Sequence, residues 1–262
     1  MTTEPLGVLD QQRLLDQTLT IWVNPEVERR IQTGKAAPGF RLLAFQIVFP
    51  SPHDRRSHEV RLNGEVRVLV RYKTDGAVEV GDMVSMTADR VGSFRLPDDE
   101  DPNAAHLTAV QFGQQWVVGF DFTYNRDRAE QRLKAAREFL TAAEGAAANG
   151  LFRPAYECLF GALELAAEAD LILVPTKPTK KHQERAKRFK EWVKLGNAPS
   201  GADVGLYRLA QRRADARYLG RPFAATKDDF DNEASIVRSQ IEHARARLRR
   251  VDEDDAPQAT KE

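Results

Sequence analysis

The sequence predicts an α+β protein: an N-terminal antiparallel β sandwich or barrel followed by a five-helix bundle. Between about residues 38 and 124 apolar residues recur with a period of two, and from 126 onward they recur every three or four positions. The length of 262 residues exceeds the usual size of one domain and leaves room for two cores. The expected boundaries are a β-rich sensing or docking domain over 1–125, a helical bundle over 126–251, and an acidic, disordered tail over 252–262 that opens with "DEDD".

In chain order, Asn24-Pro25-Glu26 predicts a helix start, with Asn24 as the N-cap and Pro25 in the first turn. "FRLLAFQIVF" at 40–49 is apolar on both faces, as a central strand would be. "HEVRLNGEVRVLVRYK" alternates around Asn63-Gly64, a hairpin signal that puts Val66, Val68, Val70 and Tyr72 on one face. Asp75-Gly76 and Gly81-Asp82 bracket a short strand at 77–80, with "MVSMTA" pairing back. Beyond the polar loop "LPDDEDPNAA", "HLTAVQF" and "QWVVGFDFTY" read as two further strands. The second of these carries Trp116, Val118, Phe120, Phe122 and Tyr124 on one face.

The first bundle helix spans about 126–148 on a stripe of Leu133, Ala136, Leu140, Ala143 and Ala147, and Asn149-Gly150 ends it. The second begins near Pro154 and repeats Tyr156, Leu159, Leu163, Ala166 and Asp170. "VPTKPT" breaks the chain before a third, striped by His182, Ala186, Phe189 and Val193. The fourth uses Val204, Tyr207, Gln211, Ala214 and Tyr218; the fifth, from about 227, uses Val237, Ile241, Ala244, Leu248 and Val251.

A charged fraction of 30%, an apolar fraction of 42% and a formal net charge of zero exclude a wholly disordered chain. That balance is uneven: residues 1–125 hold 13 Lys and Arg against 17 Asp and Glu, and residues 126–262 hold 26 against 22. The helical half is therefore the one suited to a polyanion. A single cysteine, Cys158, excludes an intramolecular disulfide or a thiolate cluster and reads as a small buried hydrophobe in a reducing compartment. The N-terminus lacks a basic segment followed by an apolar one, and no run approaches the roughly 18 apolar residues of a membrane span, so a cytoplasmic protein without membrane association is expected. No phosphate loop or dinucleotide fingerprint occurs, and His53 and His58 have no further ligand at a useful spacing, so no cofactor or metal is expected. His106 begins a strand, and His243 falls off the fifth helix's apolar stripe, where solvent is expected to reach it.

The candidate site lies in "YRLAQRRADARYLG", which carries Arg208, Arg212, Arg213 and Arg217, and in "KPTKKHQERAKRFK", which adds Lys180, Lys181, Arg185 and Arg188. As neighbours in a bundle, two such helices are expected to form a groove that tracks phosphates, with affinity that falls steeply in salt. The plain alternative is a solvated face, because arginine is a good helix former. His182, on the third helix's apolar stripe, reads either as a hydrogen-bonded core histidine or as a catalytic one.

The order "AREFLTAAEGAAANGLFRPAYECLFGALELAAEADLIL", "PTKKHQERAKRF", "LYRLAQRRADARY" resembles the HEPN superfamily (higher eukaryotes and prokaryotes nucleotide-binding) over roughly residues 128–250. The likeness is to small bacterial members with a threonine-lysine-histidine signature, here Thr179, Lys180 and His182, and a fourth helix ending in Arg212 or Arg213, Ala214, Asp215 and Tyr218. The resemblance implies a homodimer through the bundle, association with RNA in bacterial stress or defence, and an operon-encoded protein partner. Many members are metal-independent ribonucleases in which an arginine precedes a histidine by four to six residues. A histidine can take the ribose 2′-hydroxyl proton near neutral pH while arginine holds the phosphate. Here Arg213 precedes Tyr218 by five positions, and tyrosine, with an ordinary pKa of about 10, is a poor base. The implied catalytic set is thus Arg213 on the phosphate, Tyr218 at the histidine position and His182 as the base. The alternatives to an RNA-associating dimer are that ribonuclease and a non-catalytic interaction scaffold.

Overall fold

Helix formation starts well before Asn24. In the computed structural model, which describes residues 8–74, 76–79, 81–84, 86–175, 181–218 and 223–249, α1 (Val8–Thr18) runs through a π turn (Leu19–Val23) into α2 (Asn24–Gln32). The expected N-cap is corrected: Asn24 is itself helical, at φ −60° and ψ −44°, and its N–H reaches the Leu19 carbonyl five residues back. Pro25 has no N–H to offer the preceding turn, and the wide turn absorbs its ring without ending the helix. The chain divides into two units, the first Met1–Phe122 and the second beginning at Thr123.

The described residues of the first unit hold six strands: β1 (Ala44–Phe49), β2 (Glu59–Leu62), β3 (Leu69–Tyr72), β4 (Val91–Arg95), β5 (Ala105–Phe112) and β6 (Gln115–Asp121). They make an antiparallel sheet in the order β2-β1-β5-β6 and a separate ribbon β3-β4. The register sets Phe45 beside Leu62 and Ala109, and Ile47 beside Val60 and Leu107. Leu15 and Val23 of the helical run pack on that apolar face. On the opposite face the buried Gln46 carboxamide donates to the Arg67 carbonyl (2.8 Å) and to Thr108 Oγ1 (3.1 Å), tying the ribbon's entry strand to the sheet. The ribbon itself lies so close to β6 that a Cβ on Gly119 would stand 2.6 Å from the Phe94 ring.

The hairpin expected at Asn63-Gly64 does not form. Asn63–Glu65 is a 3-10 turn with Asn63 at φ 49°, β2 pairs with β1, and β3 pairs with β4. Local side-chain bonds replace the hairpin ladder. The Asn63 side chain accepts from Leu43 and Ala44 N–H (2.8 and 3.1 Å) and donates to the Arg41 carbonyl (2.9 Å), while Glu65 accepts from Leu62 N–H (3.1 Å). The short strands expected at 77–80 and in "MVSMTA" are likewise absent among the described residues. Lys73 N–H bonds the Arg90 carbonyl (2.9 Å), closing the ribbon over this loop, and Val78, Met83, Val84 and Met86 stay exposed with no sheet to bury them.

The described part of the second unit holds five helices: α3 (Arg126–Ala148), α4 (Phe152–Ile172), α5 (His182–Lys194), α6 (Ala202–Arg217) and α7 (Lys227–Leu248). α4 packs against the other four, and its stripe of Tyr156, Leu159, Leu163, Ala166 and Asp170 is buried throughout. Thr226 caps α7, accepting from Asp229 N–H at 3.1 Å. The stripe expected on α6 is wrong by face: Val204, Tyr207 and Tyr218 are exposed at 50%, 67% and 64%. Ala202, Gly205, Leu206, Leu209 and Ala216 are buried instead. Small residues mark the true contact side, since a Cβ on Gly205 would stand 3.0 Å from Ile236. On α5 only Phe189 is buried, and His182 and Ala186 face solvent. Lys180, Thr179 and the tail over 252–262 lie outside the described residues. Among the described residues no helix is long and apolar enough to cross a membrane.

Candidate nucleic-acid interface

Arg213 and Arg217 are one helical turn apart on α6, so both side chains project on the same side, toward the first turns of α4. They meet on one carboxylate. Arg213 Nε donates to Glu157 at 2.8 Å, Arg217 Nε donates to it at 2.7 Å, and Arg217 Nη2 makes a third bond. Burial works to raise the Glu157 carboxyl, but the bonds from Arg217 and Arg213 outweigh it and hold the group below the ordinary glutamate range. The same hydrogen bonds push the Arg217 guanidinium upward. The Arg213 guanidinium also lies over the Phe160 ring, 4.7 Å from its centroid.

Two more arginines complete this corner. Arg212 donates to the Ala224 carbonyl (2.8 Å) and sits over the Tyr156 ring. Arg153, in the first turn of α4, donates to the Asp215 and Ala216 carbonyls (3.1 and 2.7 Å) at the C-terminal end of α6, where a cation satisfies the last carbonyls and the helix dipole. Tyr218 follows directly as the exposed residue that ends the helix, its N–H on the Ala214 carbonyl.

The remaining predicted residues are spread along other partners. His182 opens α5 with its Nδ1 against Glu164 of α4, and its side chain is 71% exposed, which corrects the core-histidine expectation. Arg185 bridges Glu164 and Glu168 (3.4 and 3.1 Å), Arg188 pairs with Glu184 (2.5 Å), and Arg208 pairs with Glu233 (2.8 Å). Lys181 is exposed. Glu157 and Glu164 stand seven residues apart on α4, about 10 Å along its axis. His182 and Arg213 therefore occupy different stations, and among the described residues no hydrogen bond or ion pair joins them.

The partners of these cations form an acidic counter-face on α4 that the basic stretches alone do not predict. Glu157, Glu164 and Glu168 fall on one side of the helix by their spacing of seven and four, a pattern that was there to be found. A second omission is the buried centre at Asp170, which accepts from Arg247 and from Gln240 Nε2 (3.1 Å). His243, expected in solvent, belongs to it: its Nε2 is 2.9 Å from the Asn197 carbonyl and 3.7 Å from Asp170. His106 is buried in β5 against Thr108 (3.0 Å).

Two concavities accompany these clusters. A groove of about 610 Å³ between α5 and α6 has an apolar floor that includes Phe160, Phe189 and Leu206, with Lys187 and Lys190 on one rim and Asp203 on the other. A cleft of about 860 Å³ in the first unit lies between α2 and the edge strand β2. Its arginines are committed to the fold: Arg30 bonds Glu26, Glu65 and the Val60 carbonyl, and Arg61 bonds Glu59, Glu100 and Gln46. Arg29 and Arg30 together hold the Glu26 carboxyl down at about 2.

Compared with models of known protein families and with curated proteins, the chain matches none.

Proposed function

We propose that this chain is a homodimeric, HEPN-type protein that associates with RNA through the arginine corner where α4 meets α6, and that it binds without cutting. The observation that carries this reading is the convergence of Arg213 and Arg217 on a single side-chain carboxylate, Glu157, with Arg153 and Arg212 bonded to main-chain carbonyls at and beyond the C-terminal end of the same helix. A phosphodiester offers the charge and the paired oxygens that such forks accept. Binding without cleavage is favoured because Tyr218 rather than a histidine stands five positions after Arg213, and His182 is engaged by Glu164, about 10 Å along α4 from Glu157. For the dimer, the exposed Val204 and Tyr207 border the α5–α6 groove, whose basic and acidic rims are self-complementary under a two-fold axis. The first unit then serves as the docking or sensing half.

Fluorescence anisotropy of a labelled single-stranded RNA across a sodium chloride series tests the reading. Arg212→Ala, Arg213→Ala and Arg217→Ala are each expected to weaken binding and to lower the salt slope by about one. No binding by the unmodified protein at low salt rejects RNA association. Cleavage in the presence of EDTA that is lost in Arg213→Ala or His182→Ala restores the ribonuclease.

A further inference from the structure

Arg213 and Arg217 are already paired, and both oxygens of Glu157 are taken by them. A carboxylate held by one guanidinium fork, from Arg217, and a second guanidinium N–H, from Arg213, presents the charge and the paired acceptor oxygens of a phosphodiester's non-bridging pair. Arg213 uses only its Nε on Glu157, and its guanidinium lies over the Phe160 ring, so its orientation is set by the fold in advance of any ligand. Arg153 and Arg212, on the same pair of helices, donate to main-chain carbonyls rather than to Glu157, so neither is neutralised by this carboxylate. We infer that Glu157 is an internal phosphate mimic, which occupies the nucleic-acid phosphate seat in the free protein and must be displaced for RNA to bind.

This inference rests on the RNA-associating reading and adds a gate to it. Displacement sets a threshold: one isolated phosphate contact exchanges one anion for another and gains little, while a strand that also meets Arg153 and Arg212 gains enough to release Glu157. The gate thereby disfavours mononucleotides and inorganic phosphate relative to a polyanion.

The test is anisotropy of a labelled 20-nucleotide single-stranded RNA with the full chain, comparing unmodified protein with Glu157→Gln and with Glu138→Gln. Glu138 is an exposed acid on α3, so its replacement changes net charge equally without touching the arginines. Glu157→Gln is expected to tighten binding about tenfold, the order set by removing a half-buried competitor held by charge-assisted bonds. Glu138→Gln is expected to change it less than twofold. Inorganic phosphate, used as competitor, should displace RNA from Glu157→Gln at lower concentration than from the unmodified protein when each is half saturated. If Glu157→Gln fails to melt cooperatively, Glu157→Ala carries the same expectation. Equal effects of the two glutamine variants, or weaker binding by Glu157→Gln, overturn the gate while leaving RNA association standing. No binding by any of the proteins at low salt overturns both.

Discussion

Replacing Asp170 tests whether the second unit is organised around its buried charge. The Asp170 side chain is fully buried on α4 and accepts from Arg247 and Gln240, both on α7. Asp170→Ala removes the acceptor but leaves both donors. Gln240 is itself fully buried, and its Oε1 has no partner among the described residues, so losing the bond from its Nε2 strands the whole carboxamide. An orphaned buried amide costs about 1–3 kcal/mol. Arg247 is 28% exposed and stacked over Trp192, so it can turn toward water, and its share falls at the low end of the roughly 3–5 kcal/mol found when buried pairs are broken. The two losses share one site and are not additive, which places the total at about 3 kcal/mol. For a unit of this size each kcal/mol moves the melting temperature by roughly 3–4 °C, so a fall of about 10 °C is expected in the helical transition. Differential scanning calorimetry on the full chain reads it directly. A loss below about 1 kcal/mol refutes the argument that the α4–α7 contact depends on this carboxylate.

Two further outcomes follow from the first unit. Glu26 has a folded pKa of about 2 against an ordinary value of 4.5, so its contribution is complete above pH 4.5 and is lost as the pH falls through about 2. After discounting for solvent screening this amounts to about 1 kcal/mol, and urea midpoints measured between pH 5 and 2.5 should decline less steeply in Glu26→Gln than in the unmodified protein. Parallel declines would show that the Arg29–Glu26–Arg30 cluster is not what acid removes. Gly119→Val places a branched side chain where a Cβ alone stands 2.6 Å from Phe94, and it should cost about 1–3 kcal/mol in the β transition while the helical transition holds. An unchanged β transition would mean that the ribbon does not pack on β6 as described.

Where burial and period agreed, the sequence was legible. α4 shows this best, because its alternation of Tyr156, Leu159, Leu163 and Ala166 is set by contact with four neighbouring helices, and no competing pattern is available to it. β1, β5 and β6 were legible for the same reason. Asn63-Gly64 failed as a hairpin signal because a turn residue specifies the local backbone and not the strand that receives it. Its side chain instead bonds the entry of β1, about twenty residues upstream, and β2 pairs with β1 rather than with 65–72.

The misreading of α6 has a different cause, and it bears on the arginines. Tyr207 and Tyr218 look like core residues in a helix otherwise rich in arginine and alanine, so a stripe drawn through the largest apolar groups selects them. The face that packs against α4 and α7 instead combines Leu206 and Leu209 with Ala202 and with Gly205, where a Cβ would stand 3.0 Å from Ile236. Once the buried face is Ala202, Gly205, Leu209 and Ala216, the helix is rotated from the orientation the tyrosines imply. Arg213 and Arg217 then swing toward the first turns of α4, where Glu157 meets them. The basic face that composition presents as open to solvent is for that reason already partnered. On the proposed RNA-binding reading, affinity is governed less by the number of arginines on α6 than by the competition at the one carboxylate that α4 sets between Arg213 and Arg217.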